Sequence, residues 1–278
     1  MKLRSLTLDE LTIDDERSFR HIGLYAELKA ALRRDGYRFQ VPEAGASWSW
    51  DRVLFLNLTF WNPSEGGDLL ASDHIAADVV THVAWHHLAG RALGIDQARP
   101  PAERLLLAEC IASAFDLFLV GRLLGHAPGS EFLETQVPAM AEAAEAAGLG
   151  EEGFEALLAE VAADPDRAFE DLRALLFDVG SALLRCGSLR EAAGVLDGVA
   201  AQRFAPLLHH YELSTWILHA RAYAGSLEPD PAAREADAAL RAAPVALDWL
   251  EERWVRGTPA NGDAPADPGN PAERPAQS

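Results

Sequence analysis

One stretch of the chain repeats metal-binding side chains at a helical interval. His74, Asp78, His82 and His86 are each four residues apart, in a segment over 69–91 that contains no helix breaker before Gly90. Four residues of an α-helix advance about 400°, so successive members drift by only about 40° around the axis. We therefore expect these side chains on one helix face, which we call the His/Asp stripe. Two imidazoles one turn apart can close on a single metal ion, and the second and third histidines form the best placed pair.

The next helical run supplies carboxylates that can face this stripe. Glu109 and Asp116 lie seven residues apart, and so on one face, of a helix predicted over 102–124. If the two helices fold back antiparallel as a hairpin, Glu109 lies at a height between His82 and His86. The resulting site of two histidines and one carboxylate favours Zn²⁺, with Fe²⁺ as the alternative. The other polar side chains of the hairpin can orient these ligands or hold half of a second metal site: His74, Asp78 and Asp116.

The elements around this hairpin predict an α+β protein that is mostly α. A period-two apolar pattern over 48–61 indicates a long strand, and Pro63 with the following glycines ends it. The remaining apolar periodicity is helical. Helices are predicted over 15–34, 69–91, 102–124, 131–147 and 152–163, and as a pair of short helices over 173–199.

The order of strand, HxxxH helix and Glu-bearing helix resembles the gluzincin metallopeptidases, whose edge strand aligns the substrate and whose HExxH motif carries the catalytic base. The resemblance covers about 48–120. It implies that His82 and His86 are the two metal-ligand histidines and that Glu109 is the third ligand. Val83 occupies the position of the base and cannot take a proton from a metal-bound water. The resemblance is therefore to a degenerate, zincin-like domain without conventional peptidase activity.

The chain over 173–199 resembles a tetratricopeptide repeat, with small residues where paired helices approach closely. The family pattern falls on Leu176, Val179, Gly180, Leu183, Ala192, Leu196 and Val199. A weaker second unit follows over 207–243. The sequence thus predicts a metal-binding, zincin-like domain over 1–150, helical tetratricopeptide-like hairpins over 151–256 and a disordered tail over 257–278. The resemblance implies a protein partner bound through the C-terminal helices, with Gly180, Ala192 and Ala193 permitting close helix pairing.

Two other functions fit the same residues. In the first, the stripe is structural: its histidines are hydrogen-bonded in the core, Glu109 is paired with Arg91 or Arg104, and the protein is a non-catalytic helical-repeat scaffold. In the second, the protein is a non-haem (di-)iron oxidase, although the Glu-x-x-His pairs of that class are missing. If the protein is an enzyme, we expect a metal-dependent hydrolase or such an oxidase, with Asp78 or Asp116 orienting the water. His209, His210 and His219 are expected in surface or capping roles.

Charge and composition narrow the class of partner. The 278 residues contain 24 Lys and Arg against 43 Asp and Glu, a net charge of −19. Such an acidic chain repels phosphate backbones and anionic lipid surfaces, so we expect neither nucleic acid nor membrane as a partner. The two cysteines, Cys110 and Cys186, suggest no disulfide framework, and the first fifteen residues carry no signal-peptide pattern. We therefore expect a cytoplasmic protein.

Overall fold

The computed structural model describes residues 3–43, 67–95 and 99–257. The strand predicted over 48–61 and the tail predicted to be disordered lie outside the described residues, apart from Gly257. The described chain is mostly helical with two small sheets, which confirms the α+β, mostly α class. The helices in chain order are α1 (Glu16–Phe19), α2 (Gly23–Arg34), α3 (Ala77–Leu93), α4 (Ala102–Leu124), α5 (Glu131–Ala146), α6 (Glu151–Ala163), α7 (Pro165–Arg185), α8 (Leu189–Val199), α9 (Leu213–Tyr223), α10 (Pro231–Ala242) and α11 (Ala246–Leu250).

Four short strands form the N-terminal sheets. β1 (Leu3–Thr7) pairs antiparallel with β3 (Arg38–Pro42), and β2 (Thr12–Asp14) pairs parallel with β4 (His74–Ala76). The helix expected over 15–34 is interrupted between α1 and α2. The second sheet matters most for the site, because β4 leads directly into α3.

α3 begins later than the sequence suggested. The chain around 69–76 is not helical, because the backbone groups of β4 form hydrogen bonds with β2. The helix then runs to Leu93, and Gly94 caps it at φ 63°, a left-handed conformation that glycine adopts without strain. Pro101 precedes α4 at its N-terminal cap, so the predicted helical hairpin is present.

α4 is the central helix of the protein. Nearly all of its residues are buried, and it packs against α3 on one side and, most extensively, against α7 on another. α6, α9 and α10 also contact it. The predicted N-terminal and C-terminal portions therefore share one hydrophobic core. A charged side chain on α4 can reach solvent only where its neighbours leave a gap.

Buried charged side chains hold the C-terminal helices to α4 and to one another. Glu103 of α4 accepts hydrogen bonds from Arg234 at 2.8 Å and from the backbone N–H of Asp230 at 2.8 Å. The fully buried Arg173 of α7 donates to Asp237 of α10 at 2.8 Å. Buried charges are tolerated when they are paired in this way, so these contacts fix the orientation of α10.

Helices α7 and α8 cover the chain where a pair of short helices was predicted, but the small residues of this segment do not all face one another. Gly180 of α7 faces Leu106 of α4, 3.8 Å from where a Cβ atom would lie. Ala193 on α8 is exposed, and α8 has no fully buried residue. The close approach at Gly180 therefore serves the packing of α7 on the central helix.

Candidate metal centre

α3 directs two histidines towards α4. The Nε2 atoms of His82 and His86 are 3.2 Å apart, and their ring centroids are separated by 5.0 Å. Their side chains are 18% and 25% exposed. Two imidazole nitrogens thus converge on one point at the edge of the core, with access from solvent.

The carboxylate of Glu109 completes this group from α4. Its Oε2 lies 3.2 Å from His86 Nε2, and its Oε1 lies 3.8 Å from His82 Nε2. Ser113, one turn further along, donates a hydrogen bond to Oε1 at 3.4 Å. Oε2 is buried, and no hydrogen bond of good geometry reaches it in the described part of the chain. A buried carboxylate oxygen in this state is costly, and a cation would relieve that cost.

The spacing fits a metal ion. Ligands about 2.0 Å from a tetrahedral Zn²⁺ lie about 3.3 Å from one another. His86 Nε2 lies 3.2 Å from both His82 Nε2 and Glu109 Oε2, close to that spacing, while the other carboxylate oxygen, Oε1, is 3.8 Å from His82 Nε2. His82, His86 and Glu109 form a group whose ligand atoms all lie within 4.8 Å of one another. It is the one such group among the residues that the structure describes. We call it the His/Glu cluster.

The electrostatics of the cluster favour opposite charges. Burial alone would lower the pKa of His82, but the hydrogen bond and charge of Asp116, with the charges of Glu109 and Asp78, raise it to about 9. Burial alone would raise the pKa of Glu109, but the neighbouring His86, His82 and Ser113 lower it. The carboxylate is thus held in its charged form, as a metal ligand must be, whereas a metal ion would have to displace the second ring proton of His82.

Two further carboxylates lie behind His82. Asp116 Oδ2 is 3.4 Å from His82 Nδ1, on the far side of the ring from the cluster. Burial and the charge of Asp116 raise the pKa of Asp78 to about 6. The charges of both residues act on His82, but neither joins the His/Glu cluster.

His74 does not belong to the site. It lies on β4, not on α3, and its exposed ring contacts Asp14 of β2 at 3.0 Å. The hydrogen bond and charge of Asp14 raise the pKa of His74. The expectation of four stripe residues on one helix was therefore wrong for His74, because strand pairing replaces the first turns of the expected helix.

The arginines expected to neutralise Glu109 are engaged elsewhere. Arg91 pairs with Asp35, and Arg104 forms a two-pronged contact with Asp230 at 2.9 and 3.0 Å. The prediction that Glu109 pairs with Arg91 or Arg104 is therefore wrong. Within the described residues, the ion pairs of Glu109 are with the two histidines.

The position of the missing base is buried. Val83 is 1% exposed and lies in the hydrophobic core. The substrate-aligning strand of the gluzincin resemblance lies outside the described residues. The structure thus brings together the three residues that the resemblance implies as metal ligands. It gives no support to a catalytic base at position 83 or to a substrate-aligning strand.

The C-terminal portion contributes groups near the site that sequence reasoning missed. The charge of Asp116 acts on His210 and Tyr211, and the charge of Glu109 acts on His219. Burial lowers the pKa of both histidines. These residues were expected on the surface because no carboxylate is in register with them along the chain. His219 lies on α9, which packs against α4, whereas His210 and Tyr211 lie on the 3₁₀ helix over Ala205–Tyr211, and no local pattern reveals either arrangement.

The described helices include none with the length and apolar character that a membrane span requires. Comparisons of the chain with known protein families, curated proteins and solved structures found no match. The class is therefore defined by fold and site alone. The chain is a mostly helical α+β protein with a His/Glu cluster that could hold a metal ion in the hairpin of α3 and α4.

Proposed function

We propose that this protein binds one Zn²⁺ ion per chain through His82, His86 and Glu109, with Fe²⁺ as the alternative metal. The observation that carries the proposal is the convergence of two Nε2 atoms and one buried carboxylate at metal-ligand spacing. Zn²⁺ accepts this mixture of nitrogen and oxygen ligands, and three protein ligands leave a position for water or substrate.

The contrast between the two buried glutamates of α4 supports a metal. Glu103 is satisfied by arginines and a backbone N–H. Glu109 faces imidazoles instead, which can be neutral ligands as well as cations. A neutral imidazole pair leaves a buried carboxylate uncompensated unless a proton or a metal ion is present.

Conventional peptidase activity is not part of this proposal. A zincin-type mechanism needs a base beside the metal-bound water, and Val83 offers none. The zincin-like assignment is thus a proposal about metal binding, and any hydrolysis would need a different base.

The experiment is a metal titration. Protein stripped with a chelator is titrated with Zn²⁺ by isothermal calorimetry, and metal content is measured after purification without added metal. We expect one site per chain in the wild type and loss of that site in His82→Ala. His209→Ala serves as the control, because His209 is exposed on the 3₁₀ helix over Ala205–Tyr211. Equal binding by the wild type and His82→Ala would contradict the proposal.

We also propose that the C-terminal helices bind a protein partner. Leu189 of α8 and Leu218 of α9 are 88% and 68% exposed, beside a groove of about 1240 Å³ between α8, the 3₁₀ helix and α9. Large exposed apolar side chains around a groove are typical of an interaction surface. A photocrosslinker at position 189 would identify the partner, and the purified partner should then bind Leu218→Ser more weakly than the wild type. Unchanged binding by that variant would contradict the proposal.

A further inference from the structure

Asp116 contacts the metal ligand His82 from behind. Its Oδ2 lies 3.4 Å from Nδ1, while the other ring nitrogen, Nε2, lies 3.2 Å from His86 Nε2. The two nitrogens of one imidazole therefore face two different environments, a carboxylate on α4 and the His/Glu cluster.

The chemistry of imidazole makes this arrangement directional. A neutral ring carries an N–H on one nitrogen and a lone pair on the other. The hydrogen-bond partners of the two nitrogens decide which of them holds the proton. A carboxylate can only accept, and both ring nitrogens of His82 have one nearby. Asp116 Oδ2 is nearer to Nδ1, at 3.4 Å, than Glu109 Oε1 is to Nε2, at 3.8 Å, so the form with the proton on Nδ1 is favoured. The lone pair is then on Nε2, which points at Glu109 and His86.

The alternative role for Asp116, as a ligand of a second metal ion, has less support. A second site would need Asp116, Asp78 and His82 Nδ1 to converge, and the His/Glu cluster is the one convergent group in the described part of the chain. Asp78 is also partly buried, and the charge of Asp116 helps to raise its pKa, so the two carboxylates repel each other. The geometry leaves Asp116 as an acceptor for the ring proton.

We propose that Asp116 is a positioning residue that accepts the Nδ1–H of His82 and thereby commits Nε2 of that ring to the metal. This inference rests on the proposed metal site. Carboxylates behind ligand histidines fix the orientation and raise the basicity of the ring, and their loss typically lowers metal affinity by about 10- to 100-fold.

The test is nitrogen NMR of ¹⁵N-histidine-labelled protein, which reports which ring nitrogen carries the proton or the metal. The metal-free protein is measured over a pH series that extends until the ring of His82 loses its second proton, and the protein is measured again near neutral pH after addition of Zn²⁺. We expect the wild type to show Nδ1–H without metal and Nε2 ligation with it. Asp116→Ala should shift the proton towards Nε2 and weaken Zn²⁺ binding by about 10-fold or more.

Two further variants make the outcome decisive. Asp116→Asn keeps an oxygen acceptor, so it should retain the Nδ1–H form and lose less affinity than Asp116→Ala. Asp171→Ala is the control, because Asp171 is a partly exposed carboxylate of α7 that pairs with Arg167. An unchanged ring proton in Asp116→Ala, or zinc ligation through Nδ1 in the wild type, would overturn the inference. Failure of the wild type to bind Zn²⁺, with the expected proton shift still present, would overturn the proposed metal site instead.

Discussion

Glu103 and Glu109 are both buried on α4, but Glu103 faces two arginines whereas Glu109 faces two histidines. Arginine remains charged at any pH that a protein survives, so the contact of Glu103 is permanent. Imidazole can be charged, neutral or a metal ligand. The same residue type on the same helix is therefore an anchor at one position and a candidate ligand at the other.

This contrast predicts different costs for removing each charge. In the presence of a chelator, we expect Glu103→Gln to lower the free energy of unfolding by on the order of 2 kcal/mol, because glutamine is uncharged and keeps only one acceptor oxygen for Arg234 and the Asp230 N–H. Glu109→Gln should lower it by less, since that change also removes an incompletely compensated buried charge. Urea denaturation of both variants measures the difference, and the opposite ranking would show that Glu109 is the structural anchor.

Zinc should stabilise the fold through the His/Glu cluster. At a free Zn²⁺ concentration of 100 times the dissociation constant, the wild type should gain about 2.7 kcal/mol, seen as a rise in melting temperature. His86→Ala should abolish the rise. His87→Ala is the matched control, because the neighbouring ring contacts Asp35 at 2.9 Å outside the cluster. That variant should melt earlier but keep the response to zinc, and loss of the response in both variants would contradict a specific site.

The stability of the metal-free protein should depend on the proton of His82. The pKa of His82 is about 9 in the folded protein against an ordinary value of 6.5. Its proton therefore stabilises the fold fully below pH 6.5, and this contribution is lost as the pH rises to about 9. We expect the decline to be on the order of 1 kcal/mol per pH unit over that window. Chemical denaturation with chelator should show it in the wild type, and an equal decline in His82→Gln would assign it to another group.

Replacing the residue at the base position should disrupt the core. Val83 is almost fully buried, so Val83→Glu places a carboxyl group in apolar surroundings and should cost at least about 3 kcal/mol. Val83→Ala should cost less and separates the loss of volume from the buried charge. Thermal melting and a peptide-cleavage assay check both variants. A stable Val83→Glu protein that cleaves peptides would show that position 83 reaches the metal-bound water.

The C-terminal helices should be required for folding of the hairpin. A chain ending at residue 164 lacks α7, which makes the most extensive helix contact with α4. We expect this shortened chain to aggregate, since the apolar surface of α4 is then exposed. Light scattering measures the aggregation of the shortened chain, and circular dichroism measures its helical content. A soluble, folded and zinc-binding fragment of residues 1–164 would support the two-domain division at residue 150.

The hairpin and its cluster could be predicted because they follow from local periodicity. The four-residue spacing of His82 and His86 and the seven-residue spacing of Glu109 and Asp116 are properties of two uninterrupted helices. Antiparallel folding across a short connection then fixes which residues face each other. The same reasoning overextended the first helix to His74, because pairing of β4 with β2 depends on residues about 60 positions away.

Contacts between distant parts of the chain could not be predicted in this way. The effect of the α4 carboxylates on His210 and His219 depends on how the 3₁₀ helix and α9 pack, and that packing depends on side chains spread over several helices. The neutralisation of Glu103 by Arg234 crosses 131 positions of sequence. Periodicity reports which face of a helix is apolar, but not which helix covers it.

The burial of α4 also sets the order in which the protein can assemble during synthesis. The partners of Glu103 at Asp230 and Arg234 follow it by 127 and 131 positions. At about 5–20 residues per second, a ribosome needs roughly 6 to 26 seconds to cover that distance. The surface of α4 that α10 covers in the folded protein therefore stays exposed until Asp230 and Arg234 have been synthesised. A metal ion captured earlier by the hairpin of α3 and α4 would meet two loosely held helices, whereas a metal ion captured afterwards would meet a finished scaffold.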